Sequence, residues 1–291
     1  MAEPASSSAP TLARSARRPA SRRPALGALH RLRAAAVSGL LALAGVAVVV
    51  GIWWLISLGA DPVRVPSPQV VFDALVSGWE NIPALSFVAF QSGGIKQAVT
   101  YTTVNVIVGV GIGASIGFVV GALLGRVRLA RELLSPGLFV LSTVPVLVLA
   151  PFLTIWFGTA RFVQAGLVIV FALVTVAAVT QQATLDVGER YTNYAASLGA
   201  RRSMLLRAVI LPAIVPAAIG GIRVAAAAGW SFATVAELLG GNKGVGKLIQ
   251  TMQGLSATAD IMAAVIALGI VAVLVDAVIR LVGQWVVRWQ E

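Results

Sequence analysis

The chain has 291 residues, of which 58% are hydrophobic and 11% charged, with one histidine, no cysteine and a formal net charge of +11. A soluble domain carries about 25% charged residues, so a mean hydropathy of +0.91 points to an integral membrane protein. The absence of cysteine excludes disulfides, thiolate metal sites, Cys nucleophiles and lipoprotein anchoring. The single His30 leaves histidine-based metal or acid–base chemistry almost nothing to work with.

Residues 1–34 are rich in Ala, Ser, Pro and Arg, with Arg14, Arg17, Arg18, Arg22, Arg23, Arg31 and Arg33. A disordered basic tail is expected there, followed by a membrane domain over 35–291. The apolar run that follows is too long for the core of a signal peptide. Uninterrupted apolar runs predict an all-α polytopic fold, because backbone groups in lipid must be satisfied within the segment. Six spans are expected, at roughly 36–58, 100–125, 137–157, 162–181, 214–239 and 261–284, on the ~20-residue length a bilayer requires.

Between the first two spans lies a less apolar stretch, Gly59 to Val99. Ser67 is expected to cap a helix with Pro68 at its first position, and the following Val70 to Trp79 is amphipathic enough for a membrane surface. Basic residues then order the loops. With the N-terminus in the cytoplasm, the tail, Arg126, Arg128, Arg131, Arg190, Arg201, Arg202, Arg207, Arg280 and Arg288 fall inside. Only Arg64, Lys96, Arg161, Lys243 and Lys247 fall outside. That is the positive-inside pattern, with both termini cytoplasmic. Topology thus accounts for the basic charge, and no nucleic-acid partner is expected.

In the second span Gly109, Gly113, Gly117, Gly121 and Gly125 recur every fourth residue. Such steps drift slowly around a helix and leave a smooth stripe where another backbone can approach. Close helix packing is the plain expectation, and a sliding surface during gating is the functional one. The third span carries Pro136, Pro145 and Pro151. Interior prolines remove hydrogen bonds and kink a helix, so Pro145 and Pro151 are candidates to line a pathway, with a structural kink as the alternative. In the fifth span Arg223, Trp230 and Glu237 share one face, because seven-residue steps advance about 700°, and Thr234 lies near it. Arg223 and Glu237 stand roughly 21 Å apart along the helix and cannot pair. Either they line a pathway or they reach the headgroups at opposite ends. Asp276 and Arg280 are spaced to pair within the sixth span, and Trp285, Arg288 and Trp289 form an interfacial belt.

The polar island Tyr191 to Pro212 interrupts the apolar pattern. Residues 191–198 and 200–210 can each be helical, with Gly199 in the left-handed conformation that ends a helix. Ala195 and Ala196 keep one face slim. Leu205, Leu206 and Val209 give the second helix an apolar side, and Leu211-Pro212 is expected to stop it. From the residues alone, a compact helix–turn–helix for docking and a plain amphipathic surface hairpin both fit.

The island resembles the EAA loop of ABC importer permeases. Gly199, Val209, Leu211 and Pro212 fit that family's spacing, while its Glu-Ala-Ala positions read Asn193, Tyr194 and Ala195. Outside the loop, Pro66 to Pro68, the run Pro145, Pro151 and Trp156 to Gly158, the run Gly221, Ile222, Arg223, Trp230 and Glu237, and Gly244 to Gly246 resemble the nitrate/sulfonate/taurine/bicarbonate branch. The resemblance implies a permease subunit, not an enzyme, in a bacterial cytoplasmic membrane. It implies a second copy of the chain, two cytoplasmic ABC ATPases and an extracytoplasmic binding protein as partners, with membrane lipid around them. Asn193, Tyr194, Ala195, Ala196, Leu198, Gly199, Ala200, Leu211 and Pro212 would make the ATPase-coupling loop. A small, anionic solute is implied; nitrate, alkanesulfonates, taurine, bicarbonate and neutral pyrimidine-like precursors all fit. The chain has no Gly-rich Lys-Ser/Thr phosphate loop, so ATP and Mg are expected on the partner ATPase and no cofactor on this chain. The rival readings are a membrane-embedded enzyme, which needs clustered polar residues at one depth, and a channel or secondary transporter, which inverted repeats would support.

Overall fold

The computed structural model describes residues 24–88, 93–158, 161–187, 194, 197–199, 201 and 204–288. The described residues are helical, and no strand occurs among them. The helices are α1 (Pro24–Gly59), α2 (Pro68–Ser77), α3 (Pro83–Val88), α4 (Ile95–Arg126), α5 (Arg128–Thr143), α6 (Leu149–Phe157), α7 (Arg161–Asp186), α8 (Leu211–Gly240), α9 (Val245–Gly254) and α10 (Thr258–Val286). A 3-10 turn, Val146–Val148, precedes α6, and a π-helical segment, Leu205–Ile210, precedes α8. Among the described residues five helices are long and apolar enough to cross a membrane, and a bent pair makes a sixth span when counted as one.

The chain divides into two compact units, with the boundary along the sequence between Trp53 and Trp54. That boundary falls inside α1, a single long helix whose side chains from Leu40 to Val50 are apolar and exposed. It begins at Pro24, inside the stretch expected to be a tail. Proline suits a first helical turn, and the Ala, Leu and Arg residues that follow are strong helix formers.

The second unit is centred on α4, α7 and α8. The glycine stripe of α4 lies against α7 along its whole length. A methyl group built on Gly109 would stand 2.7 Å from Val168 Cβ, one on Gly113 would strike the Ile169 carbonyl, and one on Gly125 would strike Thr184. Gly117 and Gly121 meet Leu173 and Ala177 in the same way. Lipid supplies no hydrophobic drive between helices, so close backbone approach and dispersion hold this pair together. Small residues continue the core: Ala114, Ala172, Val176 and Ala225 form one buried cluster, with Phe118 and Ile222 packed against it. A second cluster joins Val146, Ala150, Leu167 and Ala236, ringed by Leu149, Leu153, Val170 and Phe232.

The third expected span is a corrected element. It is not one kinked helix over 137–157 but α5 and α6, bent by 76° across the break. Val144 is extended (φ −72°, ψ 126°), the conformation a following proline imposes. Pro145 then starts the 3-10 turn, its carbonyl accepting from Val148 N–H at 2.8 Å. Pro151 breaks nothing, because it sits in the first turn of α6 where its missing N–H has no partner to lose. Arg131 holds the preceding corner, donating from Nε to the Leu124 carbonyl at 2.8 Å and from Nη2 to the Gly125 carbonyl at 2.7 Å. These are end carbonyls of α4 that lack helical donors.

Helix α2 starts at Pro68 as expected, yet the Ser67 side chain makes no capping bond. Val71 N–H bonds the Ser67 carbonyl instead, at 3.1 Å. Val71 is buried, and α2 packs against α10. Backbone bonds from Ile95 N–H to the Gly78 carbonyl and from Lys96 N–H to the Trp79 carbonyl tie this stretch to the start of α4.

Candidate functional site

Three places on α8 gather the polar chemistry of the second unit. The first is its entry. Asn193, Ala195, Ala196 and Ala200 lie outside the described residues. Of their neighbours, Leu198 N–H bonds the Tyr194 carbonyl at 3.3 Å, and Ser197 Oγ donates to the same oxygen at 2.7 Å. Gly199 follows with φ +81°, the left-handed state that a side chain would strain. Tyr194 is 69% exposed and Leu198 73%, so a bulky apolar pair stands on the turn. Leu211-Pro212 does not stop the next helix, contrary to expectation. The chain passes from the π-helical Leu205–Ile210 straight into α8, with Pro212 in the first α-helical turn. Proline is tolerated there, and the wider π turn shifts the bonding partners just ahead of it. Leu205 and Ile210 are buried while Met204 and Leu206 are exposed, so the π segment has one anchored side.

The second place is Arg223. Its Nε donates to Asp276 Oδ1 at 2.8 Å and its Nη2 to Oδ2 at 3.0 Å, a bidentate fork. Arg280 Nη2 donates to the same Oδ2 at 3.0 Å. The expected Asp276–Arg280 pair is present, but Asp276 also serves a second cation across the α8–α10 contact. Arg223 therefore points to α10, and all three side chains stay between one-third and three-fifths exposed.

The third place is Glu237, which is 0% exposed. The headgroup reading does not describe it, because protein encloses it on every side. Thr102 Oγ1 donates to Oε2 at 2.7 Å, Asn105 Nδ2 to Oε1 at 3.2 Å and Gly246 N–H to Oε2 at 3.2 Å. Val245 N–H donates to Thr102 Oγ1 at 3.0 Å. Gln164 Oε1 receives Tyr101 Oη at 3.0 Å and Asn105 Nδ2 at 3.3 Å. The turn before α9 is moulded to this carboxylate. Gly244 has φ +99°, and a methyl group on it would overlap the Glu237 carboxyl. One on Gly246 would strike the Thr234 carbonyl. Thr234 itself donates from Oγ1 to the Trp230 carbonyl at 2.8 Å. Buried polar groups are tolerated only when bonded, and here neutral donors from α4 and from the Gly244–Gly246 turn do that work. The sequence carried a signal for these partners: Asn105 and Gln164 are polar residues inside apolar runs, which is itself suspect in a membrane.

Trp230 is 8% exposed, so the shared face of Arg223, Trp230 and Glu237 meets different neighbours along its length. Beside the helix break, a cavity of about 470 Å³ is lined by Pro145, Val146, Phe171, Thr175 and Phe232 among others. No charged side chain lines it. Pro151 is exposed in the first turn of α6 and is not among the lining residues. No group of three or more His, Cys, Asp or Glu residues suited to a metal occurs among the described residues.

Residues 113–291 match the family profile described as binding-protein-dependent transport system inner membrane component, and the chain belongs to that family. The taurine transport system permease protein of Escherichia coli (strain K12) is 25% identical over 253 residues, 86% of this chain and 89% of that protein. A putative aliphatic sulfonates transport permease of Bacillus subtilis (strain 168) is 28% identical over 250 residues, 84% and 86% of the two chains. The bicarbonate transport system permease of Synechococcus elongatus is 27% identical over 255 residues, 86% and 90% of the two. Among solved structures, an inward-facing methionine ABC transporter superposes with a TM-score of 0.56 at 19% identity, covering 71% of this chain and 98% of that one. That likeness establishes the fold.

Proposed function

We propose that this chain is the permease subunit of an ATP-driven importer in a bacterial cytoplasmic membrane. It works as a homodimer, with two cytoplasmic ATPases that bind ATP and Mg and with an extracytoplasmic binding protein. The solute is small and anionic, of the taurine, sulfonate, nitrate or bicarbonate kind. Both termini and the Tyr191–Pro212 island lie in the cytoplasm, the side that basic residues favour. The chain itself binds no cofactor and no nucleic acid.

The observation that carries this reading is the exposed Tyr194–Leu198 turn, closed by left-handed Gly199, with the π-helical Leu205–Ile210 a few residues on running without a break into a membrane span. A partner that seats the turn and closes would push directly on α8. The π segment is the natural place for that push to bend the helix, since helices kink at π-bulges. The pathway passes the Pro145 break, whose uncharged cavity gives an anion nothing to cling to. Such walls favour passage over retention, and selection falls to the binding protein. Trp230, Thr234 and Glu237 stiffen the wall from behind.

The test is co-expression with the partner ATPase. Leu198→Arg places a charge in the seat, and Gly199→Val strains the turn. Each is expected to lose at least about tenfold in retained ATPase, roughly 1.4 kcal/mol of contact, and to abolish coupled uptake while the permease still folds. Retention of both properties by both variants would sink the reading.

A further inference from the structure

Between α8 and α10 a groove of about 350 Å³ is lined by Pro216, Gly220, Arg223, Arg280, Gly283 and Gln284, with two aliphatic neighbours. Two arginines share the one carboxylate of Asp276, so a positive charge is left over. Each guanidinium has five N–H donors. Asp276 takes two from Arg223 and one from Arg280, and the others remain for the groove. There is open space beside Gly220 on its wall, where a methyl group would meet nothing within 4 Å.

The depth of the groove is marked by its own helix. Trp285 is 71% exposed, and tryptophan settles at the membrane–water interface. Arg280 lies five positions earlier, about 7.5 Å deeper by helical rise, at the level where headgroup meets hydrocarbon. The flanking face of α10 offers Val273, Leu274, Val278, Leu281 and Val282, all exposed and aliphatic, a surface suited to acyl chains. A basic pocket between spans, open to that face at that depth, has the features of an anionic-headgroup site.

We infer that the α8–α10 groove binds the phosphate of an anionic membrane lipid in the leaflet nearest the C-terminal end of α10, with Arg280 as the principal contact and Arg223 behind it. Lipid chemistry is favoured over a free anion because the aliphatic face of α10 adjoins the charges. Asp276 orients both guanidinium groups and keeps Arg223 from straying when the site is empty.

The experiment uses the full-length permease in detergent and measures its thermal midpoint against short-chain phosphatidylglycerol, phosphatidylcholine, inorganic phosphate and sulfate. Phosphatidylglycerol is expected to stabilise at about fivefold lower concentration than phosphatidylcholine, the preference one basic residue confers. Arg280→Gln is expected to erase that preference, Arg280→Lys to restore part of it, and Arg64→Gln, at an exposed arginine elsewhere, to leave it intact. Gly220→Leu fills the groove without touching a charge and is expected to match Arg280→Gln. Three results would overturn the inference: equal response to both lipids, an equal response to free phosphate or sulfate, or an Arg280→Gln variant that changes oligomeric state but not lipid preference. The second would mark a free-anion site and the third a contact with another copy of the chain.

Discussion

Two acidic side chains deep in apolar helices, Asp276 and Glu237, are handled in opposite ways. Asp276 is held by two cations and stays partly open. Glu237 is sealed, and each bond it receives comes from a neutral hydroxyl, amide or backbone donor. An open site relies on charge and tolerates rearrangement, because water or headgroups can take over a lost partner. A sealed site relies on geometry, because neither water nor headgroups can reach the donors. The ion pair looks the stronger interaction on paper, yet the neutral cage should matter more to the folded state.

The sharpest way to break this comparison is Glu237→Leu. It leaves the Gly246 N–H facing a hydrocarbon and throws Thr102 Oγ1 and Asn105 Nδ2 back on the longer bonds to the Ala98 carbonyl at 3.2 Å and Gln164 Oε1 at 3.3 Å, and each unmade buried bond costs roughly 1–3 kcal/mol. The expected result is loss of most folded protein, or a thermal midpoint lowered by many degrees, measured by melting in detergent. Thr102→Val is next. It deletes a single hydroxyl that both donates to Glu237 and accepts from Val245 N–H, so a loss of about 1–3 kcal/mol is expected, together with faster proteolysis of the Gly244–Gly246 turn. Asp276→Asn should have the smallest effect, despite removing both ion pairs, because Arg223 and Arg280 remain within reach of water and headgroups. A drop with Asp276→Asn larger than that with Thr102→Val would reverse the ranking and show the ion pairs to be the main support.

Some of this was legible in the residues. The four-step glycine stripe announced a helix contact, because periodicity and side-chain size are local properties, and α7 occupies that stripe. Gly199 announced a left-handed turn for the same reason. The prolines were legible as breaks but not in their rank: Pro145 breaks the span, Pro151 and Pro212 do not. The cost of a proline depends on whether its position has a helical bond to lose, and that depends on where each helix begins. Asp276 was paired with Arg280 by spacing, but its tie to Arg223 crosses 53 positions. Glu237 was seen as a suspect without its partners, since Thr102 and Asn105 lie 135 and 132 positions away.

The sequence by itself determined that this is a helical membrane protein and, through a polar loop of recognisable spacing, pointed to the binding-protein-dependent transport family to which residues 113–291 match. Those conclusions rest on composition, run length and local spacing, which the bilayer reads one segment at a time. Only the tertiary structure decided which charged groups are sealed and which are open. That outcome depends on which helices meet and at what height, and no local pattern encodes the partner across a helix contact.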